Sequence, residues 1–297
     1  MTGVTIDGML YGLPLNKQYQ GVFYNKNLFW RYGLQVPQTL DELERLVEQL
    51  EEIGITPFAT HFQEVWYTGN VMMQLATNDV FVKDGQWGEE FRKGNRSFAA
   101  SQEMQNCIWQ MQYIYEHSWP DAMLLSQLDA DDRFAQDEAA MYITGTWSLQ
   151  ALQSIRPDMS IGIFPYPNQE GDAKLLVETN LTFMKSADSP YEELLDDILF
   201  DIFQDLSFAE NFYDFSQSYS TLNSVENQEP KLLAGELDQY IETGSIQNVE
   251  IGNQQLAWNF QYDFAKQMLM WLQGSLRFDA LLEYADENRM YSDAMLY

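Results

Sequence analysis

The sequence has few of the side chains on which metal sites and covalent catalysis depend. Its 297 residues include one cysteine, Cys107, and two histidines, His61 and His117. A single cysteine excludes an internal disulfide and any cysteine-based metal site, and the two histidines show no ligand spacing. The sequence also lacks the HExxH, P-loop and GxGxxG motifs. We therefore expect no metal, no cofactor and no catalytic residue of these kinds.

Basic residues are also scarce, because 16 Lys and Arg stand against 45 Asp and Glu, for a formal charge of −29. Such a surface repels phosphate backbones, which excludes a nucleic acid partner, and it disfavours anionic ligands but not neutral ones. Long apolar runs are missing, so no membrane-spanning helix is predicted. The first residues, MTGVTIDGMLYG, lack the basic and apolar regions of a signal peptide.

The central feature of the sequence is a strand, a tight turn and a helix between Phe134 and Leu152. Residues 139–144 are short and apolar, as in a buried strand, and Gly145 and Thr146-Trp147-Ser148 follow. We predict that Gly145 provides an unusual φ at this corner and that Thr146 or Ser148 caps the helix. In an open α/β sheet such a corner borders the ligand crevice, where Trp147 would form a wall. The alternative is a core tryptophan under the helix.

A second candidate wall follows another apolar run, residues 55–60 (ITPFAT), which predicts a strand. The next seven residues, HFQEVWY, bring Glu64 and Trp66 close together just past the end of that strand. A carboxylate and aromatic side chains at such a place are typical of the wall of a ligand crevice. The alternative is a surface loop with its aromatic side chains tucked underneath.

Two amphipathic helices are predicted with apolar faces directed to the core. The first begins at Thr39, where Thr39 and Glu42 form a capping box, and ends at Gly54. The second runs from Pro190 to about Leu206. Its apolar face, which we expect to be buried, consists of Leu194, Leu195, Ile198, Leu199, Ile202 and Phe203.

Four stretches together resemble the extracellular solute-binding proteins of carbohydrate ABC transporters, in the branch related to maltose-binding protein. They are DGMLYGLPLN at 7–16, FYNKNLFWRYGL at 23–34 with PQTLDELERL after it, the F-x-x-x-E-A-A-M-x-x-x-G-x-W run at 134–147, and IGIFPYP at 161–167. Each pattern is weak alone, but their order and spacing across residues 7–167 are specific to this family.

The resemblance implies a periplasmic-binding-protein-like (type II) α/β fold with two lobes that enclose a mono- or oligosaccharide. It also implies a monomer that is extracellular, periplasmic or anchored at the cell surface as a lipoprotein, and that delivers the sugar to a permease. By position, the ligand-binding residues carried over are Trp66, Glu64, Trp147 and, in the C-terminal half, Trp258. Tyr19 and Gln20, just before the strand at 21–24, are expected to line the site near the hinge.

The chain departs from the family pattern at its beginning. Family members start with a signal peptide, often with a lipid-anchored cysteine, and then with most of the first lobe. By analogy, residues 21–176 and 232–297 form a complete second lobe, and residues 1–20 and 177–231 belong to the hinge and to a partial first lobe. We therefore expect a truncated chain that binds weakly, since half of the contacts are lost.

Two other classes of function remain open. A carbohydrate hydrolase needs two carboxyl groups across the scissile bond, and Glu64 with Asp137 or Glu138 is the pair available. The acids before Ala139 are more simply a solvated turn. A protein-interaction module with an acidic surface has no motif in its favour.

Overall fold

The computed structural model describes residues 5–6, 9–222, 225, 232–233, 235–249 and 255–290, which form an α/β protein. The described α-helices are α1 (Lys26–Tyr32), α2 (Leu40–Glu52), α3 (Val65–Ala76), α4 (Trp87–Arg92), α5 (Gln102–Glu116), α6 (Gln127–Ala135), α7 (Leu149–Ile155), α8 (Glu192–Gln204), α9 (Leu206–Ser216), α10 (Glu236–Glu242), α11 (Trp258–Leu272) and α12 (Phe278–Glu287). The described strands are β1 (Thr5–Ile6), β2 (Met9–Leu10), β3 (Leu13–Pro14), β4 (Asn16–Asn25), β5 (Thr56–Ala59), β6 (Ala139–Gly145), β7 (Ile161–Phe164), β8 (Leu175–Thr179), β9 (Thr182–Phe183), β10 (Tyr219–Ser220) and β11 (Ile246–Asn248).

The ten-residue strand β4 organises the main sheet. One of its edges pairs with β8 and then β7, and the other pairs with β10 and then β6, all antiparallel. At the margins, β5 lies parallel to β6, and β11 lies parallel to β8. The parallel pairing of β5 with β6 matters for function, because it places the carboxyl ends of both strands at the same edge of the sheet.

Three hydrophobic clusters fill the spaces around this sheet. Helices α2, α3, α5, α11 and α12 cover one face, and their side chains pack on alternate residues of β4 such as Val22. The other face, with Tyr19 and Phe23 of β4, packs against α6, α7 and α10. A smaller third cluster is centred on Leu15, Ala209 and Tyr213, where β4 begins and α9 packs. Strand β4 therefore connects a large part of the molecule, formed by the first two clusters, with a small part, formed by the third cluster and helices α8 and α9.

Local predictions for the first amphipathic helix are confirmed with one change. The Thr39 hydroxyl accepts a hydrogen bond from the Glu42 N–H at 3.3 Å. The Glu42 carboxylate accepts from the N–H of Gln38 rather than of Thr39, at 2.7 Å, so the capping box is displaced by one residue. The helix ends before Gly54, whose φ of 75° is in the left-handed region that glycine adopts without strain.

The prediction for the second amphipathic helix is wrong in one respect. Helix α8 forms within the expected range, but none of its residues is buried. Leu194 and Ile198, which we expected in the core, are 56% and 44% exposed. The helical period of the sequence identifies an apolar face but does not provide the surface that covers it.

Candidate functional site

The turn after β6 is built for close packing rather than for an unusual backbone angle. Gly145 has φ −141° and ψ −179°, which is ordinary extended backbone, so the predicted role for its φ is wrong. A Cβ at this position would lie 2.3 Å from the ring of Trp147. Glycine is needed here because the indole of Trp147 folds back over the backbone of residue 145.

The hydroxyl groups of the turn hold it against the sheet. They do not cap α7, so the prediction that Thr146 or Ser148 caps this helix is wrong. Thr146 Oγ1 accepts a hydrogen bond from the N–H of Tyr19 in β4, at 3.2 Å. Ser148 and Thr144 share a hydrogen bond of 2.9 Å in which either hydroxyl can be the donor. These bonds fix the backbone on both sides of Trp147.

The second wall is the beginning of α3. Glu64 is the N-cap residue, and Val65 is the first helical residue, so Trp66 stands in the first turn of a helix and not in a loop. The strand that precedes it, β5, lies beside β6. The two segments predicted to form walls therefore begin at neighbouring strand ends.

Trp66 and Trp147 meet at this edge of the sheet. Their ring centroids are 6.3 Å apart and their planes are inclined at 74°, an edge-to-face arrangement. Both side chains are half-buried. Together with Glu64 and Gln20 they form a group that we call the aromatic corner. The Trp147 N–H is buried with no partner among the described residues, so the ring rather than this N–H is the part available to a ligand.

Glu64 is held by two neighbours and keeps about a third of its side chain exposed. One carboxylate oxygen lies 2.9 Å from Nδ1 of His61 and 2.8 Å from the N–H of Gln127, the first residue of α6. Burial lowers the pKa of His61 to about 3, so its imidazole is neutral and Nδ1–H donates to the carboxylate. The N-terminus of α6 adds a favourable dipole for the negative charge. Glu64 is thus oriented with an oxygen free to accept bonds from a ligand.

Gln20 is connected to the same edge through an amide ladder. The side chain of Gln74 donates to Asn70, and Asn70 donates to Gln20, each at 3.2 Å. Asn70 is one helical turn after Trp66, and Gln20 pairs across the sheet with Gly145. The Nε2 of Gln20 is buried and has no partner among the described residues. The series of amides therefore ends in an N–H₂ group that is buried beneath the aromatic corner.

The structure places the other two predicted ligand-binding residues elsewhere. Tyr19 projects from the opposite face of β4 into the core, where its ring contacts Tyr219 at a centroid distance of 5.2 Å. Burial, with Asp238 nearby, raises its pKa to about 12. Trp258 begins α11 and is 53% exposed, and within the described residues no ring contact connects it to Trp66 or Trp147. Helix α11 itself packs on α3. A methyl group in place of the Gly69 hydrogen would lie 3.7 Å from Ala265 Cβ, an ordinary van der Waals contact.

Glu64 and the two acids proposed as its partner, Asp137 and Glu138, lie at opposite ends of strand β6. Asp137 precedes β6, where it forms an ion pair with Arg156 at 2.7 Å and accepts a hydrogen bond from Asn25. Glu64 follows β5, at the edge where β6 ends. The length of β6 separates them by about 20 Å at roughly 3.3 Å per residue. Glycosidase carboxyl groups are about 5 to 10 Å apart, so neither Asp137 nor Glu138 can act with Glu64.

Three residues of this edge were missed by the sequence reasoning: His61, Asn70 and Gln127. Asn70 follows Trp66 at helical spacing, but this relation is visible only when α3 begins at Val65. Gln127 was detectable, because Ser126 and Asp129 form a capping box that marks a helix N-terminus. Across the described ranges, no group of three His, Cys, Asp or Glu side chains is arranged to hold a metal ion. In the same ranges, no helix is both long and apolar enough to cross a membrane.

Comparison with protein families gives one match, to the model described as bacterial extracellular solute-binding protein, over residues 2–219. Among curated proteins, the multiple sugar-binding protein of Streptococcus mutans is 27% identical over 199 residues, 62% of this chain and 46% of that protein. The melibiose/raffinose/stachyose-binding protein MelE of Bacillus subtilis is 25% identical over 171 residues, 54% of this chain and 38% of that protein. The chain thus spans about half the length of the curated relatives that it matches.

Among solved structures, a sugar transporter protein from Bacillus licheniformis in complex with stachyose superposes with a TM-score of 0.83 and 19% identity. The superposition covers 97% of this chain and 75% of that one. At this identity the likeness establishes a shared fold.

Proposed function

The chain belongs to the family of bacterial extracellular solute-binding proteins, and on that premise we propose that it captures a neutral mono- or oligosaccharide without chemical change. Family members are extracellular or periplasmic, and delivery of the sugar to an ABC transporter permease is part of the proposal. The relatives in Streptococcus mutans and Bacillus subtilis are named for binding sugars, which supports a carbohydrate ligand.

The observation that carries this proposal is the edge-to-face pair of Trp66 and Trp147 beside the oriented carboxylate of Glu64. A pyranose ring has an apolar C–H face that packs on an indole, and its hydroxyl pairs donate to a carboxylate and accept from an amide. Glu64 supplies the exposed acceptor, and Gln20, whose Nε2 is buried as the Trp147 N–H is, supports the aromatic corner from within. The charge of −29 disfavours an acidic sugar. Trp258, which begins α11, is proposed as a more distant ligand contact.

We also propose the division into lobes that the family resemblance implies. Residues 21–176 and 232–297 form one lobe, and residues 1–20 and 177–231 belong to the other, although parts of these ranges lie outside the described residues. The exposed apolar side chains of α8 and α9, among them Leu194, Phe200 and Phe215, support this division. A face of this kind is expected where further polypeptide of the same lobe packs. A protein that closes two lobes over a sugar contacts it from both sides.

A titration of intrinsic tryptophan fluorescence with raffinose and stachyose tests the function. We expect saturable binding, and we expect Trp147→Ala to weaken it by at least about 1 kcal/mol, or roughly fivefold in Kd, from the stacking area lost. Trp30→Ala is the matched control, because Trp30 is 87% exposed on α1 and away from the aromatic corner. Galacturonate tests the charge argument and should bind more weakly than galactose.

An unchanged Kd in Trp147→Ala would remove Trp147 from the site. Absence of saturable binding with every neutral sugar would overturn the proposed function. Release of reducing sugar that Glu64→Gln abolishes would show a hydrolase instead.

A further inference from the structure

Asp131 is a fully buried carboxyl group below the aromatic corner. It lies in α6, and neither of its oxygens forms a hydrogen bond among the described residues. The Tyr142 and Ser148 hydroxyls and the Gln127 amide are its polar neighbours. A buried carboxyl group that is only partly satisfied is costly, which calls for an explanation at this position.

The neighbours of Asp131 connect both walls of the aromatic corner. Gln127, one helical turn before Asp131, donates its backbone N–H to Glu64 at 2.8 Å. Its side-chain amide donates to the Ser148 hydroxyl at 3.3 Å. Ser148 follows Trp147 directly. Asp131 therefore neighbours Gln127, which links the carboxylate wall to the tryptophan wall.

The proton on Asp131 is exchangeable near neutral pH. Burial raises its pKa to about 7, against the opposing influence of Tyr142, Ser148 and Gln127, and the charge of Glu64 raises it further. His61, which is neutral, lies beside Glu64 and faces Tyr142, and Tyr67 also acts on Tyr142. Strand β5 and helix α7 both pack against α6. Neither carries an ionisable side chain that could act on Asp131.

We propose that Asp131 is a positioning residue for Trp147, and that the presence or absence of its proton sets how the Ser148 turn is held. A protonated carboxyl group can turn its O–H toward Tyr142 or Ser148, and the Ser148 hydroxyl then keeps its own proton for Thr144. The carboxylate only accepts, so it draws the Ser148 proton toward itself, and Thr144 must then donate to Ser148. The two states hold the backbone beside Trp147 differently.

The effect on sugar binding rests on the proposed function. The charge of Glu64 determines whether the affinity for sugar rises or falls with pH. A sugar on the aromatic corner displaces water around Glu64, which strengthens the field of Glu64 at Asp131 and favours the protonated form. The pKa of Asp131 is then higher in the bound state than in the free state, so binding takes up protons. The affinity for sugar is therefore highest below about pH 7. It falls as the pH rises from the pKa of Asp131 in the free protein to its higher pKa in the sugar-bound protein. A shift of half a pKa unit gives about a threefold higher Kd at pH 8.5 than at pH 6.

The test that needs no ligand is ¹⁹F NMR of the chain labelled with 5-fluorotryptophan. The chain has eight tryptophans, and the Trp147 resonance is the one lost in Trp147→Phe. We expect this resonance to shift with a midpoint near pH 7 in the wild type and to stay constant from pH 5.5 to 8.5 in Asp131→Asn. Asp79→Asn is the matched control, because burial raises the pKa of Asp79 to about 6, but its charged neighbours are Lys83, Glu170 and Asp172. The midpoint should persist there.

A Trp147 resonance that does not titrate in the wild type would overturn the proposal, whatever the behaviour of the variants. A midpoint that persists in a folded Asp131→Asn variant would do the same. The second arm measures the Kd for raffinose against pH, and Asp131→Asn should keep the low-pH affinity throughout. Failure of raffinose and other neutral sugars to bind would count against the proposed function, and the ¹⁹F result would still decide the role of Asp131.

Discussion

Helices α2 and α8 have the same length and similar sequence patterns, but they differ in what covers them. Each has 13 residues with apolar side chains at helical spacing and acids in its first turn. In α2, Leu43, Leu46, Val47 and Leu50 are buried, whereas no residue of α8 is. The comparison shows that a helical period defines a face and that burial depends on residues far away in the sequence.

The difference should be energetic as well as geometric. Most of the stability of a protein helix comes from packing its apolar face rather than from helix propensity. Helix α2 therefore contributes to the core of the large part of the molecule, and α8 contributes little in the described structure. Three pairs of variants test how far covering by distant residues decides stability, the first by comparing α2 and α8 directly.

The largest expected effect is the loss of a buried leucine in α2. Leu50 is fully buried, so Leu50→Ala should lower the free energy of unfolding by about 2 to 5 kcal/mol. Leu194→Ala in α8 removes the same atoms from an exposed position and should change it by less than about 0.5 kcal/mol. Urea denaturation of both variants measures the difference. Equal losses would mean that α8 is covered in solution.

The helix caps should have effects that do not depend on coverage. The Thr39 side chain accepts from Glu42 at the start of α2, and Asp205 accepts from the Phe208 N–H at 3.0 Å at the start of α9, in the small part. Thr39→Ala and Asp205→Ala should each cost about 1 kcal/mol. Urea denaturation reports the first change, and amide hydrogen exchange of α9 reports the second. Thr39→Ser and Asp205→Asn, which keep an acceptor, should behave almost as the wild type does.

The smallest effect on stability is expected from a charge on the open face of α8. Ile198→Asp should leave the free energy of unfolding nearly unchanged, because Ile198 is exposed, and it should reduce self-association at high concentration. Light scattering across a concentration series measures the association. Gln102→Asp adds the same charge at an exposed position of α5 and controls for net charge. A large loss of stability in Ile198→Asp would show that the α8 face is buried in solution.

Much of the fold was predictable from the sequence. The periplasmic-binding-protein-like (type II) α/β fold is confirmed by the family match and the superposition. The strand at residues 139–145, the turn at Trp147 and the helix after it are also confirmed. These features depend on local patterns and short motifs, which a single sequence contains. The extent of α3 and the exposure of α8 depend on distant contacts and were not predictable.

The aromatic corner was only partly predictable. That Trp66 and Trp147 follow strands was visible in the sequence, but their contact depends on β5 pairing in parallel with β6. Tyr19 and Gln20 were both expected to line the site, although adjacent residues of a strand point to opposite faces and only one of them can do so. Asp131 was hidden in the run DADDRF, where acids are typical of a solvated helix face.

Strand β4 has a consequence for how the protein is made. Its first residues pair with Tyr219 and Ser220, about 200 residues later in the chain. At a synthesis rate of roughly 5 to 20 residues per second, about 10 to 40 s pass between the appearance of β4 and that of its last partner. Through that interval part of the strand has unpaired N–H and C=O groups that another chain can occupy. The nascent chain is therefore most open to misassembly at the strand that joins the two parts of the finished protein.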